Sequence, residues 1–224
     1  MDWTAVAVSL ELALIVAAVL LVIAIPLAYW ITFSRWRGKF LVEAVVALPL
    51  VLPPTVLGFY VLVAIGSRSP IGRMWERWTG RGLAFTFEAL VLASILYSLP
   101  FAVQPIAAAF AQLDTSLVEA SATLGSTRWR TFSRVVLPLS LQGVVAGAVL
   151  SFAHTIGEFG VVLVVGGNLP GVTRTISISV YDQVQSLQYD AANATALALL
   201  AFSFVVLAFV YALMRRPWSV AGLR

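Results

Sequence analysis

The sequence predicts an all-α polytopic membrane protein with five transmembrane helices, or six if a re-entrant outer segment is counted. Three observations predict it. Of the 224 residues, 61% are hydrophobic and 11% charged, against about 25% charged in soluble domains. Five apolar stretches are each long enough to cross a hydrocarbon core of about 30 Å at a rise of about 1.5 Å per residue. The cations fall unevenly between the loops, nine on one side and five on the other. Mean hydropathy is +0.97. The same composition narrows the chemistry. With no cysteine there is no disulfide framework. A single histidine (His154) and a single lysine (Lys39) leave little for a metal site. Lys39 is followed by Phe40, so no phosphate-binding Gly-Lys-Ser/Thr loop exists and the chain does not hydrolyse ATP by itself. The net charge of +4 is read as membrane orientation and headgroup contact, not nucleic-acid binding.

The spans run, in order, from about Ala5 to Phe33, Phe40 to Ile65, Leu83 to Ala111, Val135 to Val165 and Ala191 to Met214. The first is too long for a cleaved signal peptide and lacks its small-residue flank, so it reads as retained. Glu43 and Glu88 lie near span ends, where a carboxylate reaches the headgroups. Loops 34–39 and 112–134 with the tail 215–224 carry the nine cations. By the positive-inside rule the amino terminus lies outside and the carboxy terminus in the cytoplasm. Pro26, Pro49, Pro53, Pro54, Pro100 and Pro105 interrupt the spans and bend them. Gly143-x3-Gly147 permits close helix packing, within the chain or between two chains. Segment 173–190 mixes alternating and helical periodicity and reads as a short re-entrant or interfacial element. Residues 1–214 thus form one transmembrane domain, followed by the short tail 215–224.

Two loops carry more information. In the outer loop, Ser69-Pro70 is an N-cap and first-turn pair. Ile71, Met74, Trp75 and Trp78 follow at i, i+3, i+4 and i+7, which predicts a short interfacial helix over about 69–80, either a plain anchor or a docking surface. In the inner loop 112–139, Ser116 to Glu119 fits a capping box with Asp114 just upstream, and Gly125 suits a left-handed position after the last helical turn. The helix of about two turns between them is too short to stand alone, so it packs on its own bundle or on another subunit.

The string Glu119-Ala120-Ser121, three residues, Gly125, nine residues, Val135, one residue, Leu137-Pro138 resembles the EAA loop of ABC importer permeases. Ser121 and Val135 depart conservatively from that family's Ala and Ile. The resemblance implies a type I importer permease architecture. Its loop, here Glu119, Ala120, Ser121, Gly125, Leu137 and Pro138, couples to a cytoplasmic ATPase. It further implies that ATP and Mg are bound by that ATPase and not by this chain, that two permease chains work as a homodimer, and that an extracytoplasmic binding protein delivers the cargo. Arg128 and Arg130 pair either with acidic groups of the ATPase or with anionic lipid.

Leu48 to Pro54 with Gly58, His154 to Gly160, and Gly167 to Gly171 with Thr173-Arg174-Thr175 resemble molybdate importer permeases over nearly the whole chain. Molybdate is the expected cargo, with a molybdate-binding protein as partner. Tungstate and sulfate permeases carry related strings and stay open, as does a secondary anion transporter from a different class. The candidate path or gate comprises Pro53, Pro54, Thr155, Gly157, Glu158, Gly160, Asn168, Thr173, Arg174 and Thr175. No Lys or Arg lies in a span core, so hydroxyls and backbone amides are the donors available to an anion. Glu158 would repel an oxyanion and reads as a structural or gating group paired with His154 or Arg174. Gly157 and Gly160 allow a break beside it. The expected location is the inner membrane of a prokaryote.

Overall fold

The computed structural model describes residues 2–215, so the predicted tail lies outside the described residues apart from Arg215. Every regular element among the described residues is helical: α1 Trp3–Phe33, α2 Lys39–Val51, α3 Pro54–Ile65, α4 Pro70–Thr79, α5 Phe87–Ala111, α6 Thr115–Thr123, α7 Arg128–Thr131, a π-helical turn Phe132–Val136, α8 Leu137–Leu139, α9 Leu141–Gly157, α10 Gly160–Gly166, α11 Ile176–Gln185 and α12 Tyr189–Arg215. Three helices (α1, α5 and α12) are long and apolar enough to cross a bilayer uninterrupted. Two bent pairs raise the number to five.

Both bends have a covalent cause. α2 and α3 meet at 113° across Leu52-Pro53. Pro53 and Pro54 lack backbone N–H groups, and Leu52 and Pro53 are held extended with ψ near 135°. The predicted second span is therefore two half-length helices. The second bend, 71°, lies between residues 128–139 and 141–157. Here Pro138 has no N–H for the Arg134 carbonyl, and the widened turn Phe132–Val136 just before it makes room for the ring. The predicted fourth span, 135–165, is corrected at both ends. Its membrane helix is α9, and α10 is a separate element after a break at Glu158–Phe159. Glu158 leaves the helix with ψ 136° and Phe159 follows with φ −128°.

α1, α5 and α9 form the core. Leu12, Val16, Leu20, Ala24 and Ala28 of α1 pack against Leu90, Ala102, Val103, Ile106 and Phe110 of α5. Between helices in lipid the attraction is van der Waals contact, so close approach decides it. Gly143 and Gly147 supply that approach on α9. A β-carbon at Gly143 would overlap Ala109 of α5, and one at Gly147 would sit 2.8 Å from the Ala102 carbonyl. The Gly-x3-Gly pair is thus spent on packing within the chain. α12 lies at the edge, with Leu200, Phe204, Val205 and Tyr211 each more than 60% exposed.

Candidate functional site

Three groups of the predicted residues occupy three separate places. The inner loop comes first. α6 is capped by Asp114: the Ser116 N–H donates to Asp114 Oδ1 at 2.9 Å and the Leu117 N–H to the Asp114 carbonyl at 3.1 Å. The predicted cap at Ser116 is therefore two residues late, because Asp and Ser both accept from a first-turn amide and the upstream one starts the helix. At the other end Gly125 has φ +74°, the Leu124 N–H reaches the Ala120 carbonyl, and the Ser126 N–H reaches the Ser121 carbonyl, both at 3.1 Å. This closes the helix as predicted. A β-carbon at Gly125 would meet nothing within 4 Å, so conformation and not space calls for glycine here.

Between these caps Leu117, Glu119 and Ala120 are exposed, and Leu124 is 85% exposed. Ser121 is turned inward and shares a 2.8 Å hydroxyl contact with Thr131. Val118 packs toward the core with Phe132, Leu113 and the fully buried Val136. Tyr29 fixes the loop from below, with its ring 5.2 Å from Phe132, 4.8 Å from Phe33 and 6.2 Å from Phe110. Leu137 and Pro138 sit at the bend that joins the loop to α9. Sequence reasoning missed this aromatic cluster, since it joins residues from three distant segments.

The second place is an open pocket of about 550 Å³ lined by Pro54, Thr55, Tyr97, His154, Gly157, Glu158 and Gly160, among others. The two breaks in the chain build it. Pro54 starts α3 and Gly160 starts α10, and a β-carbon at Gly160 would lie 2.7 Å from Pro54 Cβ. Pro53 caps α3 directly behind. Thr155 is buried behind the wall: its hydroxyl donates to the Ser151 carbonyl at 2.9 Å and lies 3.0 Å from Ser98 Oγ. Ser98 Oγ is also 2.9 Å from His154 Nδ1, and Phe101 stacks on that imidazole at 3.9 Å. Glu158 is 4% exposed, and neither carboxylate oxygen has a hydrogen-bond partner among the described residues. The expected pairing with His154 or Arg174 is not formed. His154 is engaged by Ser98, and Arg174 belongs to the third group. The Ser94 hydroxyl is likewise buried without a hydrogen-bond partner among the described residues.

The third place is the outer loop. Arg174 Nε donates to Asn168 Oδ1 at 2.6 Å, and the guanidinium lies 3.5 Å from Asp182 and 3.9 Å from Asp2. Asn168 Nδ2 also donates to Asp182 at 3.3 Å. The Thr173 hydroxyl donates to the Gly166 carbonyl at 2.7 Å and accepts from the Leu169 N–H at 3.2 Å. Thr175 caps α11, and the Ile176 N–H donates to Ser9 of α1 at 2.8 Å. Residues 173–190 contain the packed helix α11 where the sequence suggested an ambiguous re-entrant or interfacial element. Of the candidate path residues, Pro54, Gly157, Glu158 and Gly160 meet around one pocket. Asn168, Thr173, Arg174 and Thr175 are bound to one another and to neighbouring backbone. On the same side α4 forms as predicted, with the Gly72 N–H donating to Ser69 Oγ at 2.8 Å. Its Ile71, Met74 and Trp78 are exposed, whereas Trp75 turns inward.

An all-helical bundle with three bilayer-length apolar helices and two bent pairs defines a multi-pass membrane protein. Residues 21–218 match the family described as the binding-protein-dependent transport system inner membrane component, and the chain belongs to that family. It is 47% identical over 215 residues to the molybdenum transport system permease protein ModB of Azotobacter vinelandii, covering 96% of this chain and 95% of that one. It is 39% identical to the ModB protein of Escherichia coli K12, over 83% of this chain and 81% of that one. A chain of the inward-facing MetNI methionine ABC transporter shares the fold, with a TM-score of 0.69 at 17% identity over 96% of this chain and 97% of that one.

Proposed function

We propose that this chain is the permease subunit of an ATP-driven importer that carries molybdate, a tetrahedral oxyanion, across the inner membrane by alternating access. In this reading two copies form the pathway, two ATPase subunits bind ATP and Mg on the cytoplasmic side, and an external binding protein delivers the anion. The chain itself carries no cofactor. The amino terminus is outside and the carboxy terminus inside, an orientation supported by the excess of Lys and Arg in loops 34–39 and 112–134. The observation that carries the reading is α6. It is a nine-residue helix, capped at both ends within the chain, that leaves Leu117, Glu119, Ala120 and Leu124 exposed. A helix that short persists only when something packs on it. Its outer face is the surface the ATPase grips, so closure of the ATPase pair is transmitted through the Leu137-Pro138 bend to α9 and the pocket. The cargo assignment rests on the names of the relatives at 47% and 39% identity.

The test is ATP hydrolysis by the assembled transporter in proteoliposomes, with binding protein loaded with molybdate, tungstate or sulfate. Molybdate-loaded protein is expected to stimulate hydrolysis most. Gly125→Asp is expected to abolish that stimulation while the chain still folds. Asp tolerates positive φ better than most residues, and its side chain would enter open space where the ATPase docks. Stimulation by sulfate alone would reassign the cargo, and anion uptake without ATP would replace the importer by a secondary transporter.

A further inference from the structure

Two cavities at the loop-helix end differ in character and share a wall. The first, about 760 Å³, is lined by Ser34, Arg35, Val118, Ser126 and Arg128 with the aromatic end of α1. The second, about 250 Å³, is lined by Pro26, Tyr29, Arg128, Trp129 and Phe132. Tyr29 and Arg128 belong to both. The two cavities thus adjoin at Tyr29 and Arg128: the first, the mouth, carries two guanidinium groups and the hydroxyls of Ser34, Ser126 and Thr131, and the second is an apolar trough beside it. Among the described residues neither Arg35 nor Arg128 makes an ion pair or a side-chain hydrogen bond. Trp129 is 74% exposed at the trough's edge.

We propose that this groove binds one anionic phospholipid, its phosphate between Arg35 and Arg128 and an acyl chain along Tyr29, Trp129 and Phe132. Three observations select that occupant. The unpaired charge is positive, so the missing partner is an anion. Guanidinium groups hold phosphate oxygens in a forked geometry that suits such a mouth. The apolar trough is lined by Pro26 and Tyr29 of the bilayer-length helix α1 together with Trp129 and Phe132, so the ligand has a hydrocarbon part as well as a charge. An acidic peptide or free phosphate fills the mouth and leaves the trough empty. Aromatic side chains at such a boundary hold the headgroup level. The lipid would touch Val118 and Ser126, which flank the exposed face of α6, and so brace the loop helix against the end of α1. The site needs only the groove. Its placement in the cytoplasmic leaflet rests on the orientation proposed above.

The experiment uses the purified transporter with its ATPase subunits, in micelles containing phosphatidylcholine and phosphatidylglycerol, and counts retained lipids by native mass spectrometry. The wild type is expected to retain phosphatidylglycerol and not phosphatidylcholine. Arg35→Gln with Arg128→Gln is expected to weaken retention about twenty-five-fold, from about fivefold per cation beside an anionic headgroup. Arg35→Lys with Arg128→Lys keeps the charge and is expected to restore most of it, which separates lost binding from lost folding. Phosphatidylglycerol with brominated acyl chains is expected to quench a fluorescence component that Trp129→Phe removes. Equal retention of phosphatidylcholine, or unchanged retention in the double glutamine variant, overturns the proposal. So does full displacement by inorganic phosphate, which marks a free-anion site. So does loss of ATPase binding with lipid retention intact, which gives the arginines to the ATPase. The lipid counts and the quenching need neither the cargo nor the orientation and can be repeated on the permease chain alone, so failure of the lipid site and failure of the importer reading are distinguishable.

Discussion

In the outer loop, Asn168, Thr173, Arg174 and Thr175 each hydrogen-bond within the chain, and Arg174 also faces two carboxylates. In the inner loop the backbone is capped just as fully, by Asp114 and Gly125, but most side chains between the caps point away from the protein. The two loops lie at opposite ends of the same bundle and draw on the same small vocabulary of Ser, Thr, Asp, Asn, Gly and Arg. The difference lies in where the side-chain bonds go. A loop whose polar groups close on one another is scaffold, and it fixes α1, α10 and α11 relative to each other. A loop that spends its bonds on its own backbone and leaves its side chains free offers a surface. The comparison predicts that damage to the outer loop is read in stability, and damage to the inner loop in coupling.

The largest stability effect is expected at Arg174. Replacing it with Ala leaves Asp182 and Asp2 without their cation and Asn168 without its donor, in a cluster only partly open to solvent. Charge-assisted hydrogen bonds of this kind contribute about 2 kcal/mol. The unfolding midpoint of the purified chain should fall by several degrees, with Arg174→Lys falling less, since it keeps the charge but loses the fork. Binding-protein-stimulated ATP hydrolysis, measured well below that midpoint, should persist. If Arg174→Ala leaves the midpoint untouched and abolishes anion uptake, the outer cluster belongs to the path and the contrast between the loops is lost.

What was legible in the sequence divides along the same line. Features set by neighbours in the chain were readable. The Ser69 cap, the left-handed Gly125 and the short helix between two spans all follow from local hydrogen bonding and φ preference. Pro53-Pro54 could be read as an interruption, though not as a turn of 113°, because the angle depends on what α2 and α3 pack against. The break at Glu158–Phe159 was harder. Residues 135–165 are apolar almost throughout, so hydropathy alone merges α9 and α10, and only Gly157 and Gly160 hinted at the division. The partners of Glu158 and Arg174 were not legible at all. Proximity in sequence suggested His154 for Glu158, yet the chain leaves the helix at Glu158 and its carboxyl bonds to neither candidate, while His154 is held by Ser98. The pocket likewise needs Pro54 and Gly160, more than a hundred residues apart, to touch.

A smaller effect should sharpen the inner half of the comparison. Ser121 is the one polar side chain of the helix's latter half that turns inward, and its 2.8 Å contact with Thr131 joins α6 to α7. Ser121→Ala leaves the buried Thr131 hydroxyl to its own neighbours and should cost about 1 kcal/mol. Because the lost bond ties the loop helix to the element leading into the Pro138 bend, the cost should appear as a reduced maximal stimulation of the ATPase more than as a lowered unfolding midpoint. Equal losses in both would mean that α6 is braced by the scaffold after all.

The smallest effect concerns Asp114, and its sign follows from the cap. The Ser116 amide donates to the carboxylate and holds its pKa below the usual Asp value. A group whose folded pKa is depressed contributes stability above its unfolded pKa and loses it as pH falls through the folded value. The start of α6 should therefore be fully capped at neutral pH and loosen only on the acid side of the ordinary carboxylate range. Hydrogen exchange at amides 115–118, compared between wild type and Asp114→Asn at each pH, isolates this contribution. Asn caps a helix about as well as Asp but does not titrate. The two proteins should exchange alike at pH 7 and diverge in acid, with the wild type opening faster. Identical exchange down to low pH would move the cap from the Asp114 side chain to its carbonyl, which receives the Leu117 N–H at 3.1 Å and does not respond to protons.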